Sequence, residues 1–137
     1  HIVCGHGRMG REVVRELVER GLPVVVIERD PAAIQPLADS PAIALEGDAT
    51  RDEMLIRAGV QRAKALVSVL SRDEDNLFIT ISARQLNPGM HIVARCDREE
   101  SREKMIRAGA SRVVSQRKRL TGWPTVRGLS WRRLRTM

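Results

Sequence analysis

Tyrosine is absent from this 137-residue chain, phenylalanine occurs once and tryptophan twice, so no phenol is available as a catalytic acid or base. The two cysteines, Cys4 and Cys96, each lie inside a strand-like run with no CxxC or Cys/His cluster. Their spacing signals neither a disulfide scaffold nor a zinc site, and it fits a reducing cytoplasm. Long apolar runs are also missing. Residues 24–27 and 65–70 are the fullest ones, far short of the ~20 residues that cross a bilayer, so no span is expected in this chain. The start lacks the basic segment and apolar stretch of a secretory signal, because His1 leads within four residues into a glycine-rich turn. Acids are missing from one part only. Residues 117–137 hold Arg117, Lys118, Arg119, Arg127, Arg132, Arg133 and Arg135 with no Asp or Glu, and these account for the whole net charge of +7. The body is neutral, so the charge does not mark it as a nucleic-acid binder; a basic tail gives at most salt-dependent, sequence-blind attraction.

In the body, short β-rich runs alternate with amphipathic stretches, the pattern of an α/β domain: a Rossmann-like doubly wound parallel sheet with helices on both faces. Strands are expected at residues 2–4, 24–28, 43–46, 65–70, 91–95 and 112–115, since near-continuous apolar strands suit a sheet buried on both sides. Val13, Val14, Leu17 and Val18 mark one face of a helix over residues 11–20. Two segments repeat 50 residues apart, Leu55-Ile56-Arg57-Ala58-Gly59 and Met105-Ile106-Arg107-Ala108-Gly109. In both, the glycine suits the left-handed position that ends a helix. The domain is expected over residues 1–116. From 117 onward Gly122, Pro124 and Gly128 break the rhythm, and a disordered or loosely structured tail is expected.

The chemistry gathers at Gly5-His6-Gly7-Arg8-Met9-Gly10, which follows the strand at residues 2–4 and opens the first helix. That context is what a dinucleotide fingerprint demands: one glycine for the turn, one for backbone approach to phosphate, one for helix–strand packing. Backbone N–H groups at the helix start then face the phosphates. Glu28 ends the second strand 18 residues after Gly10. An acidic side chain there accepts hydrogen bonds from ribose hydroxyls and repels a 2′-phosphate, which argues for NAD, ATP, ADP or AMP and against NADP. A solvated strand-end carboxylate is the alternative for Glu28 taken alone. Arg8 could reach phosphate oxygens bidentately. Asp48, in Gly47-Asp48-Ala49-Thr50 after the third strand, could meet adenine or cap the helix that begins near Arg51. The run from Ser71 to Asn76 could rim the same cleft or be a solvated helix start. A small NAD-dependent oxidoreductase fragment is the competing reading. It would need a base at the nicotinamide, yet His1, His6 and His91 form no constellation, with His6 expected to point outward.

Several pieces, taken in order, resemble the RCK or KTN domain (TrkA-N type), the regulator of potassium conductance on bacterial potassium channels and transporters. They are residues 1–10 with their Gly-x-Gly-Arg-x-Gly turn, residues 24–30, Glu46-Gly47-Asp48-Ala49-Thr50, residues 65–88 with the Asp73-to-Asn76 loop and Ala83-Arg84-x-Leu86-Asn87-Pro88, residues 91–95, and Arg107-Ala108-Gly109-Ala110-x-Arg112-Val113-Val114-Ser115. The resemblance implies a non-enzymatic, ligand-sensing domain in the cytoplasm, attached to the inner face of the cell membrane through a potassium channel or transporter membrane domain. It implies a homodimer through the helices around residues 78–86 and 100–108, and assembly into an octameric gating ring. Gly5, His6, Gly7, Arg8, Met9 and Gly10 would contact phosphates, Glu28 ribose, and Asp48 and Ala49 adenine. Arg29, Thr50, Leu70 and Arg95 complete the cofactor-binding set, and Arg8 would reach the terminal phosphate or a neighbouring subunit. Some members bind calcium through acids beside the fifth strand; here Arg95 beside Asp97 would weaken such a site, and no metal is expected. The departure is after Ser115, where the family continues with an amphipathic helix to a second lobe. That lobe is expected to be missing, and the chain to be a piece of a longer protein whose remainder could hold a pore.

Overall fold

The computed structural model describes residues 1–116. The chain order is β1 (Ile2–Cys4), α1 (Arg8–Glu19), β2 (Val25–Glu28), α2 (Pro31–Ile34), a 3-10 turn (Gln35–Leu37), β3 (Ile43–Glu46), α3 (Asp52–Arg57), β4 (Ala65–Ser68), α4 (Asp73–Leu86), β5 (His91–Arg95), α5 (Glu99–Ala108) and β6 (Arg112–Val114). The strands form one parallel sheet in the order β3-β2-β1-β4-β5-β6. The order reverses between β1 and β4, the switch point outside which ligands of doubly wound sheets bind. Among the described residues no helix is long and apolar enough to cross a membrane.

Strand pleating sends alternate residues to opposite faces. Val3 packs with Val13, Val14 and Leu17 of α1, while Ile2 and Cys4 pack with Leu55 of α3 and Ile79 of α4. Leu17 is fully enclosed, and burying such a side chain contributes about 1.5–3 kcal/mol. A smaller cluster joins Met105 of α5 to Ala94, Cys96 and Val113. The two repeated segments do end α3 and α5. Gly59 and Gly109 take φ +87° and +119°, and in each the next residue's N–H returns to the carbonyl five positions back, Val60 to Leu55 and Ala110 to Met105. This is the Schellman closure that a left-handed glycine permits.

Helix α4 fastens both ends. The Asn87 amide donates to the Val60 and Ala63 carbonyls at 2.9 and 3.0 Å, satisfying the loop after α3. Arg84 donates through Nη2 and Nε to the Gly109 carbonyl at 2.6 and 3.0 Å, and through Nη1 to Pro88 and Met90. The Ala83-Arg84-x-Leu86-Asn87 motif is therefore a clamp across the repeat.

Differences from the sequence reading lie at element ends. Helix α1 starts at Arg8 rather than Arg11, because Gly7 serves as its N-cap and the Arg11 N–H already closes on the Gly7 carbonyl at 2.9 Å. β4 stops at Ser68 instead of 70, since Leu70 bonds to the Asn76 side chain rather than to a strand. Short α2 is not foreseen by periodicity; Asp30 caps it through the Ala32 N–H, with Pro31 in the first turn. The expected loose tail lies outside the described residues.

Both cysteines are buried and free. Burial pushes the Cys4 thiol up to about 12. Burial, with the nearby Asp73 carboxylate, does the same for Cys96, also to about 12. Since the thiolate is the nucleophile, iodoacetamide at pH 8 is expected to label neither until denaturant is added. Rapid labelling of the folded protein would show that this core opens.

Candidate nucleotide cleft

The carboxyl ends of the four strands around the switch point converge on one cleft, lined by Gly5, Ile27, Glu28, Arg29, Gly47, Ala49 and Leu70. The ladder holds the strand ends level. Gly5 N–H bonds to the Ile27 carbonyl, Gly47 N–H to that of Glu28, and Val69 N–H to that of Cys4, each at 2.9 Å. The glycines divide the work by space. A Cβ on Gly10 would collide with the Gly5 carbonyl, so the helix can rest on the turn only without one. A Cβ on Gly7 would meet nothing within 4 Å, so that backbone faces open space. The first-turn N–H groups of α1 have no intrahelical acceptor and frame that space.

Glu28 is held rather than free. Its Oε1 accepts from the His6 N–H at 2.8 Å and its Oε2 from the Asp30 N–H at 2.9 Å. A carboxylate oxygen can accept more than one hydrogen bond, so capacity for hydroxyl donors remains, with the side chain already fixed. His6 itself corrects an expectation: its ring is buried, 4% exposed, and does not point outward. Its Nδ1 lies 2.6 Å from the Ala33 carbonyl, which fixes Nδ1–H as the donor. The reason lies where α2 passes into the 3-10 turn: the residue three positions beyond Ala33 is Pro36, which has no N–H to offer its carbonyl.

Arg8 is exposed, and among the described residues its guanidinium makes no hydrogen bond or ion pair. The first turn of α1 contains no acid, whereas α3, α4 and α5 begin with Asp52 and Glu53, with Asp73 to Asp75, and with Glu99 and Glu100. A cation at a helix N-terminus opposes the dipole, a cost that an anion in the turn would offset. Met9 is committed to the core at 5% exposure, leaving only its backbone for the turn. Ala49 is buried and Leu70 half-buried on the cleft wall, while Arg29 stands exposed at its rim.

Asp48 is not the cap of α3. Its Oδ1 accepts from the Thr50 hydroxyl at 2.6 Å and the Thr50 N–H at 2.9 Å, and Arg51 is the N-cap, with no side-chain bond. The Thr50 hydroxyl, aided by the Thr50 N–H and the charges of Arg29 and Arg51, holds the Asp48 carboxyl below its ordinary range. Thr50 therefore orients Asp48.

Arg95 is not brought into this group. Its guanidinium reaches Asp97 at 2.7 Å and Gln116 at 3.0 Å, because β5 lies two strands away from β1. Asp73 and Asn76 are likewise taken up by the fold. Asp73 accepts from the Asp97 and Arg98 N–H groups at 3.0 and 3.1 Å, and Asn76 ties β4 to β5. Among the described residues no group of three or more His, Cys, Asp or Glu side chains is placed to hold a metal ion. Ile27 and Gly47 line the cleft but are not among the candidate residues; both directly adjoin ones that are, so a strand-end rule would have found them.

Comparison with known proteins gives consistent results. Residues 1–116 match the model of the TrkA-N domain. The chain is 40% identical over 116 residues to potassium channel protein 1 of Methanocaldococcus jannaschii, covering 83% of this chain and 35% of that protein. It spans about a third of the length of this relative. Among solved structures, the TrkA-N domain of the inner membrane protein ybaL from Escherichia coli superposes with a TM-score of 0.82 at 27% identity, covering 87% of this chain and 88% of that one. The GsuK channel bound to NAD gives 0.73 at 32% identity, covering 83% of this chain and 20% of that one; GsuK has also been solved bound to ADP.

Proposed function

Because this chain belongs to the TrkA-N domain family, we propose that it is a ligand-sensing regulatory domain that binds an adenine nucleotide, NAD(H), ATP, ADP or AMP, to control potassium flux. The observation that carries this reading is Glu28, fixed by the His6 and Asp30 N–H groups beside the open backbone of Gly7. Phosphates would lie on the first turn of α1 with Arg8 on the outermost one, ribose on Glu28, and adenine against Ala49, Leu70 and the Asp48–Thr50 turn. A carboxylate held in place cannot swing away from a 2′-phosphate, so NADP is disfavoured. The residues bind and orient: among the described residues no Lys, His or Cys side chain lines the cleft, and the reading is not enzymatic. GsuK, solved with NAD and with ADP, supports the ligand class.

The partner in this reading is the membrane domain of a potassium channel or transporter, with the domain on its cytoplasmic side. Phe78 and Ile81 of α4 and Ile106 of α5 are 58%, 38% and 47% exposed, and this apolar surface supports a homodimer through those helices, the building block of an octameric ring in this reading. The unit is residues 1–116.

Calorimetric titration with all six nucleotides, NADP included, tests the reading. Ligand at ~100 times its Kd should stabilise the fold by about 2.7 kcal/mol. Glu28→Ala removes charged hydrogen bonds worth roughly 1.5–3 kcal/mol, so affinity for ADP is expected to fall about 10- to 100-fold. Tightest binding to NADP, or no binding of any nucleotide, would refute the proposal.

A further inference from the structure

Behind the phosphate turn a groove of about 290 Å³ runs between α1 and the 3-10 turn that continues α2, near the lower end of the roughly 300–1,000 Å³ of small-molecule sites. Its floor is aliphatic, from Val14, Val18, Pro36 and Leu37. Arg11 and Arg15, one helical turn apart, stand along its edge. Among the described residues neither guanidinium has a hydrogen bond or ion pair, although Glu19 sits one turn beyond Arg15 and also lines the groove. Apolar floor and unpaired cations on one edge are complementary to a molecule with an apolar body and one acidic head.

We propose that this groove is a second ligand site, for a small amphiphilic anion whose carboxylate meets Arg11 and Arg15 and whose aliphatic body lies on Val14, Val18 and Leu37. The head belongs at the Arg11 end, because Glu19 would repel it at the other. The site adjoins the nucleotide cleft through one residue. The His6 ring lines the groove and donates to Ala33 of α2, while the His6 N–H holds Glu28. An occupant that shifts the 3-10 turn, and with it the adjoining α2, moves the ring and the amide on which the Glu28 carboxylate rests. This coupling depends on the nucleotide reading above; the groove site does not.

Octanoate, which carries both halves of the chemistry, is the probe, titrated calorimetrically into the full chain. One saturable site is expected, with octanol and acetate each binding at least tenfold more weakly. Arg11→Gln combined with Arg15→Gln is expected to weaken octanoate at least tenfold and to leave ADP affinity within twofold. Groove-floor substitution Val18→Asp should do the same to octanoate. Acetate binding as tightly as octanoate, or octanoate indifferent to the double substitution, overturns the site. Saturating octanoate is expected to shift the Kd for ADP at least threefold, and an unmoved value overturns the coupling through His6. If ADP does not bind at all, the nucleotide reading fails, while the octanoate titrations still decide the groove.

Discussion

Asn76→Leu is expected to lower Tm by 10 °C or more, or to remove the cooperative transition altogether, although it conserves volume and adds apolar surface. Asn76 is fully buried, and its amide is saturated. Its Oδ1 accepts from the Ser68 hydroxyl at 2.8 Å and the Leu70 N–H at 2.9 Å, and its Nδ2 donates to the Leu70 and Arg95 carbonyls at 2.9 and 3.1 Å. Leucine leaves all four groups without this partner. Each buried polar group stranded in this way costs about 1–3 kcal/mol. Even if water reaches two of them, the remaining loss is several kcal/mol, against a total stability of about 5–15 kcal/mol. At roughly 3–5 °C per kcal/mol for a domain of this size, calorimetry resolves the effect easily. A drop below 3 °C would mean that the loops after β4 and β5 repack without this bridge.

Asn76→Asp sharpens the test. It keeps the acceptor and replaces the donor by a carboxylate oxygen facing two carbonyl oxygens. Repulsion and burial raise the folded-state pKa of that carboxyl above its unfolded value. Stability is then greatest at low pH and is lost as pH rises through the folded pKa, so the deficit relative to the unsubstituted chain should shrink on acidification. Asn76→Leu should show no such dependence.

What was legible in the sequence follows from how locally each feature is encoded. The glycine turn, Glu28 at its spacing and the left-handed Gly59 and Gly109 are short-range signals; the structure brings Glu28 against the turn and ends α3 and α5 on the two glycines. Alternating elements and right-handed crossovers mark the doubly wound class, of which the order β3-β2-β1-β4-β5-β6 is one member. Other features depend on partners distant along the chain. Arg84 meets Gly109 across 25 residues and Asn87 meets Val60 across 27, so their motif marked a resemblance without revealing a clamp. Asp73 could be read as cleft rim or as solvated helix start, yet its carboxylate is spent on N–H groups 24 and 25 residues away. Helix α2 spans four residues, too few for a 3.6-residue period to register. His6 followed from that omission: without α2 there was no carbonyl to turn its ring inward.

Two glycines of the turn should part company when substituted. Gly10→Ala places a Cβ against the Gly5 carbonyl oxygen, and both atoms belong to backbone that cannot yield without breaking the turn or lifting α1 from β1. Overpacking of this kind costs about 1–3 kcal/mol where side chains can give way, and occasionally more. Here backbone meets backbone, so a loss of at least 3 kcal/mol is expected, a Tm shift on the order of 10 °C. Gly7→Ala meets nothing within 4 Å, and its φ of −80° suits any residue. Its stability cost should stay within about 1 kcal/mol, the scale of a changed N-cap. The new methyl does, however, occupy the space into which a phosphate would come, so ADP affinity should drop at least tenfold in a fully folded protein. Thermal melts of both variants with and without ADP separate the two roles. Gly10→Ala should melt early with or without nucleotide, whereas Gly7→Ala should melt normally and lose the nucleotide-induced shift. Equal loss of stability in both would mean that the turn is built for packing alone, and a retained shift in Gly7→Ala would remove the phosphates from this end of α1.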